Sequence, residues 1–171
     1  MVNGRAGASR PIRLLPGQAE WLAAIRRNLV GERQCTVADT DVRYAVFRRQ
    51  PGIPGACWGE EGSVYIADEA LQQDARRADL TALHEQTEYR HRAAGRPHAY
   101  AHRRAYLTEL LAAKQVFELR ELERYVRDRI RPYPAWKVPD QEALATDLVR
   151  LLAAPRPRRG DLMRLITAHL L

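Results

Sequence analysis

Along most of this chain apolar residues recur every three or four positions, and in one shorter part they recur every second position, so helices around a small β region are predicted. Trp21, Leu22, Ile25 and Leu29 give a first helix over roughly residues 17–30, opened by Pro16 and Gly17 and ended by Gly31. Between Thr36 and Ala67 the texture changes. Val42, Tyr44 and Val46 alternate with Arg43, Ala45 and Phe47, the pattern of a strand with one buried face. QPGIPG at 50–55 reads as a loop, and Ala56–Trp58 and Val64–Ile66 as two further short strands around a Gly59–Gly62 turn.

Helical spacing then returns. A central helix is predicted from about Glu69 to Ala94, with Asp68 as its N-cap and Ala75, Leu80 and Leu83 as its packing residues. Gly95 and Pro97 stop it and begin a second helical run from about 97 to 131, long enough to need a break near Lys114. RPYPAWKVP at 131–139 is a connector, Asp140 caps a helix carrying Leu144, Leu148, Leu151 and Leu152, and a last short helix covers Leu162–Leu171. Residues 1–16, rich in Gly, Arg and Pro and without periodicity, read as a flexible tail. The fold expected is α+β: a small antiparallel sheet packed on a central helical hairpin, forming one domain over 17–171 with a helical C-terminal extension from about 132.

Composition narrows this picture only a little. With 171 residues, 46% hydrophobic and 29% charged, the chain can bury one sizeable core and is not disordered throughout. The formal charge of +7 is carried almost entirely by Arg, with Lys only at 114 and 137. Such a surface suits anionic partners including nucleic acid, but no nucleic-acid recognition motif accompanies it, and an Arg-biased coding sequence explains it more simply. Cys35 and Cys57, with no signal peptide before them, are expected to be two reduced thiols in a cytoplasmic protein. No stretch approaches the roughly 18 apolar residues of a membrane span.

The histidines change the picture more. Four of the five lie between Leu80 and Glu109. On the first helix of the expected hairpin His84 and Glu88 are one turn apart on one face, and on the second His98, His102 and Glu109 share a stripe. Packed together, the two helices would bring His84, Glu88 and His102 to one point, and imidazole plus carboxylate is the donor mix of a zinc, manganese or iron site. In the H-E-x-x-H motif the Glu after the first His takes a proton from water at the metal. Here the string is H-E-Q-T-E, which puts Glu85 at the position of that base and Glu88 at that of the second histidine.

These residues give the chain its resemblance. His84, Glu85, Thr87, Glu88, Gly95, Tyr100, His102, Ala105 and Glu109 resemble the minimal gluzincin-like, zincin-fold metallopeptidases, and more closely small bacterial and phage-type proteins with HExTE, a Gly turn, Y-x-x-A-H and a following Glu. The match covers about thirty residues, and Tyr100, Ala101 and His102 are contiguous where the pattern has a gap. The resemblance implies a metal-dependent hydrolase acting on a peptide or small amide, with Glu85 as the proton-transfer group and the Val64–Ile66 strand, just before the site-bearing helix, as the rim of a cleft that accepts an extended peptide. Glu109 is then either a fourth ligand, which would close the site, or the acceptor for the second ring N–H of His102. Tyr100 and Tyr106 are candidates to face substrate or an oxyanion. His91 and His98 are expected at the surface.

Two other readings use the same residues. His84 and Glu88 can be a solvated i, i+4 pair worth a few tenths of a kcal/mol on a charged helix, and the protein as a whole can be a non-catalytic metal-stabilised helical scaffold or a basic nucleic-acid binder. Glu88 and His91 have the E-x-x-H spacing of di-iron bundles, but a second such pair is absent from the sequence.

Overall fold

The computed structural model describes residues 12–130 and 140–170; the connector expected at 131–139 and most of the expected N-terminal tail lie outside the described residues. Helix α1 (Gln18–Arg26) is followed by strands β1 (Leu29–Val37), β2 (Thr40–Phe47), β3 (Ala56–Trp58) and β4 (Val64–Ala67), and then by helices α2 (Asp68–Gln73) and α3 (Ala75–Ala93). Helices α4 (His98–Val116), α5 (Leu119–Ile130), α6 (Gln141–Ala153) and α7 (Arg159–His169) complete the order. The fold is α+β, a small sheet against a helical hairpin, with further helices behind it.

Among the described residues the sheet has four strands in the order β1-β2-β4-β3, and it is mixed, not antiparallel, because β2 and β4 run parallel. The extra strand is β1, which replaces the end of the expected first helix. Asn28 donates its side-chain amide to Ala24 O at 2.8 Å and closes α1 there, so Leu29 starts a strand and Gly31 sits beside a bulge. A two-residue hairpin loop then returns the chain, with Ala38 and Asp39 both at positive φ (45° and 64°), as a type I′ turn requires.

The two faces of the sheet are buried differently. Val42, Tyr44, Val46, Val64 and Ile66 face the large core built by α3 to α7. Phe47, Cys57, Tyr65 and Ala67 pack against Leu22 and Ile25 of α1 on the other side, so β2 and β4 are buried on both faces at this end. β4 lies inside the sheet with both edges paired, and so cannot serve as the peptide-accepting rim; both edge strands, β1 and β3, contact α3.

The helix bearing His84 begins later than its apolar spacing suggests. Asp74 is extended and accepts the Arg76 N–H at 3.0 Å, separating α2 from α3 and capping the second. Its far end is a Schellman closure: Gly95 takes φ 78°, its N–H reaches Arg92 O and the Arg96 N–H reaches His91 O. This turns the chain into α4, and α3 and α4 form the hairpin. Leu80 and Leu83, both buried, anchor α3 by about 1.5–3 kcal/mol each.

Two further features hold the frame. Asp79 of α3 accepts a two-point bond from Arg33 of β1 (2.8 Å each) and the Tyr44 hydroxyl of β2 (2.7 Å), tying helix to sheet. The long second run breaks at Phe117, which is extended and buried with its ring 5.1 Å from that of Tyr125, and this corner folds α5 back along α4. Asp140 caps α6 through the Ala143 N–H at 3.0 Å, as expected. Among the described residues no helix is long and apolar enough to cross a membrane.

Candidate metal centre

The i, i+4 spacing on α3 and the antiparallel approach of α4 bring His84, Glu88 and His102 together, buried at 3%, 5% and 7% exposure. One donor atom from each lies within 4.8 Å of the other two, so the group can hold a metal ion. Ligands around zinc at about 2.0–2.1 Å are about 3.4 Å apart in a tetrahedron, and small rotamer changes would close the difference. The distance from His84 Nε2 to Glu88 Oε2, 3.7 Å, is already near that value.

His84 is the most tightly held of the three. Its Nδ1 donates to Glu109 Oε2 at 2.7 Å, which leaves Nε2 aimed at the site; spacing on α4 alone would have paired Glu109 with His102 instead. Tyr106 stands edge-on to the His84 ring at a centroid distance of 4.6 Å and packs on His102 at 5.0 Å, and His84 and His102 are themselves edge-to-face at 5.3 Å. Both imidazoles are therefore braced by ring packing, and His84 by its hydrogen bond to Glu109 as well.

Glu109 is fully buried, and α5 supplies what makes that tolerable. Arg129 reaches it through Nε at 2.5 Å and Nη2 at 2.9 Å, and the Tyr125 hydroxyl donates at 2.5 Å. Burial alone would raise its carboxyl, but the Arg129 charge and the His84 hydrogen bond outweigh this and hold it well below the usual carboxylate range. Glu109 thus spends its oxygens on Arg129, Tyr125 and His84, behind the donor triad.

The charges of the site follow from the same contacts. Burial opposes a proton on His84, yet the hydrogen bond to Glu109 and the nearby Glu88 carboxylate prevail and raise it to about 9, so an arriving cation must displace that proton. His102 is lowered to about 4 by burial and by the neighbouring His84, and is neutral near pH 7. Glu88 is opposed by burial but held low by His84 and His98, and remains ionised. Glu85 is half-buried; burial pushes it up to about 7, with His84 opposing and Glu88 adding to the shift. Its field also reaches Cys57 on β3, whose thiol is raised to about 12 by burial first and by Glu85 second.

The remaining candidates lie as follows. Tyr100 is exposed, edge-on to His91 at 5.5 Å and beneath the Arg96 guanidinium. His98 is half-exposed, but its Nε2 is 3.1 Å from Glu88 Oε1, a contact its place on the His102 stripe could have signalled. Arg129 and Tyr125 had no such signal, since they lie beyond a helix break and twenty or sixteen positions from Glu109. Cys35 and Cys57 are free. Compared with known proteins, the chain matches no family model, no curated protein and no solved structure.

Proposed function

We propose that this protein is a zincin-like metal-dependent hydrolase that cleaves a peptide or small amide bond. The observation that carries this reading is the pairing of a buried two-imidazole, one-carboxylate donor set with a separate carboxyl, Glu85, adjacent to it in sequence and raised toward neutrality. His84 Nε2, Glu88 and His102 would hold the ion. Zinc suits this donor set best, with manganese or iron as alternatives. When bound, such an ion supplies Lewis acidity, polarising a carbonyl and making water nucleophilic near neutral pH.

The protein's own groups do the rest. Glu85 accepts the proton of the attacking water and returns it to the leaving amine; a carboxyl near 7 is matched to both transfers at neutral pH. Glu109 fixes the His84 tautomer and makes the ring a stronger donor. Glu88 in place of a second histidine adds negative charge, which softens the Lewis acidity of the ion and favours a less demanding amide substrate.

The near-complete burial of all three donors also suits an ion that serves structure alone. Metal analysis with two variants separates the readings. In the hydrolase, Glu85→Gln keeps stoichiometric metal and loses turnover of peptide substrates, whereas His84→Ala loses the metal. Metal retained with no hydrolysis by the unaltered protein supports the structural ion. No metal, together with DNA affinity that falls steeply with salt, rejects both and favours a basic nucleic-acid binder.

A further inference from the structure

The two oxygens of Glu88 face different partners. Oε2 faces His84 Nε2 at 3.7 Å. Oε1 lies 3.1 Å from His98 Nε2. Oε1 is therefore held in a close polar contact with His98, at the oxygen other than the one nearest His84.

The placement of His98 gives that contact direction. His98 is the first residue of α4 and lies one turn before His102, with the two rings stacked at 5.4 Å and 19°. Its side chain is 42% exposed, so it gains little from burial; what fixes it is the stack on one donor and the polar contact with another. A free carboxylate can bind a cation through one oxygen or two. With Oε1 engaged by the His98 imidazole, one-oxygen binding is favoured.

From this we propose that His98 is a positioning residue that restricts Glu88 to ligation through Oε2 alone and so keeps one coordination position open. The proposal rests on the metal reading above. It assigns His98 to the carboxylate the role Glu109 has for His84: each takes up the far side of a donor and leaves one atom for the ion. The consequence is specific to chemistry. Three single-atom donors and a water would make a four-coordinate ion, whereas a two-oxygen Glu88 would add a fifth contact and crowd the position that water or substrate needs.

The test is the visible spectrum of protein loaded with cobalt(II), whose d–d bands weaken as coordination rises above four. Wild-type protein should give strong four-coordinate bands. His98→Ala should still bind one equivalent but with weakened bands, as Oε1 joins the ion. His98→Gln, which presents an N–H at similar reach but is a poor ligand, should restore the strong spectrum. If His98→Ala retains the wild-type spectrum, the positioning role is wrong while the metal reading stands. If His98→Gln behaves as His98→Ala, the polar contact at Oε1 is not what matters, and the positioning role is again wrong. If wild-type protein takes up no cobalt or zinc, the metal reading itself fails and this inference with it.

Discussion

Glu109 accepts the Nδ1 hydrogen of His84 at 2.7 Å across the α3–α4 hairpin, and the same carboxylate is clamped from behind by Arg129 of α5. The donor that points at the candidate ion is therefore positioned by a charge pair drawn from two other helices. Removing one member of that pair leaves the other charged and buried. Glu109→Ala should destabilise the protein by about 3–5 kcal/mol and weaken metal binding by about 10–100-fold. Replacing both, Glu109→Leu with Arg129→Met, should cost less stability than the sum of the two single changes, while the metal affinity stays low. Urea titrations and zinc titrations of the four proteins check this; additive stability losses would show that the pair is not coupled.

The binding of an ion should also be visible as stability. A ligand held only by the folded state at a hundred times its dissociation constant adds about 2.7 kcal/mol. For a chain of this size that is about 5–10 °C in melting temperature. Zinc should therefore raise the melting temperature of the wild-type protein and chelator should lower it again, while His84→Ala responds to neither. Equal melting curves with and without zinc would count against the site.

How far this was legible in the sequence depends on the range of the contacts involved. His84 and Glu88 are brought together by one turn of one helix, and His102 by a hairpin whose Gly95 and Pro97 are visible in the sequence. Helix periodicity and turn chemistry suffice for such neighbours. The α6 cap at Asp140 and the strands at Ala56–Trp58 and Val64–Ala67 were legible for the same reason.

What escaped was set by longer-range packing. β1 carries Glu32, Arg33 and Gln34 at a sheet edge and has little apolar alternation; its place is fixed by the hairpin to β2 and by Arg33 reaching Asp79 on α3. The parallel pairing of β2 with β4 depends on where β3 folds out of the way, which no local pattern states. Nothing near Arg129 in the sequence marks it, because its partner is three helical turns into a different helix. The break at Asp74 came from a side chain that competes for the backbone, inside a run whose apolar spacing is continuous.

The Asp79 cluster predicts acid behaviour. Burial works against its charge, but the bonds from Arg33 and Tyr44 win and its carboxyl sits below the ordinary value. A group depressed in the folded state binds protons more readily when unfolded, so its stabilisation is present above the unfolded value of about 3.9 and is lost as pH falls through the folded one. Asp79→Asn should cost about 1–2 kcal/mol at pH 7, toward the lower end because the Arg33 guanidinium is partly exposed and screened. The difference from wild type should shrink below about pH 4. Urea midpoints measured from pH 7 down to 3 test this, and a gap that stays constant with pH would refute it.

Gly62 gives the last prediction, because it separates backbone strain from crowding. Both Gly62 (φ 92°) and Gly95 (φ 78°) adopt the left-handed conformation, so alanine at either position carries a penalty of about 1–2 kcal/mol. At Gly95 a new Cβ meets nothing within 4 Å. At Gly62 it would lie 2.8 Å from Tyr89 Cε1, on a ring that packs against Trp58 at 5.9 Å and whose hydroxyl donates to Glu60 O. Tyr89 follows Glu88 on α3, so relieving the clash means moving the ring or the helix that carries a donor. Gly62→Ala should therefore destabilise more than Gly95→Ala, by about a further 1 kcal/mol or more, and should weaken zinc binding where Gly95→Ala does not. Thermal melts and zinc titrations of the two variants decide the matter: equal losses would mean that Tyr89 swings aside and that the β3–β4 turn does not bear on the position of Glu88.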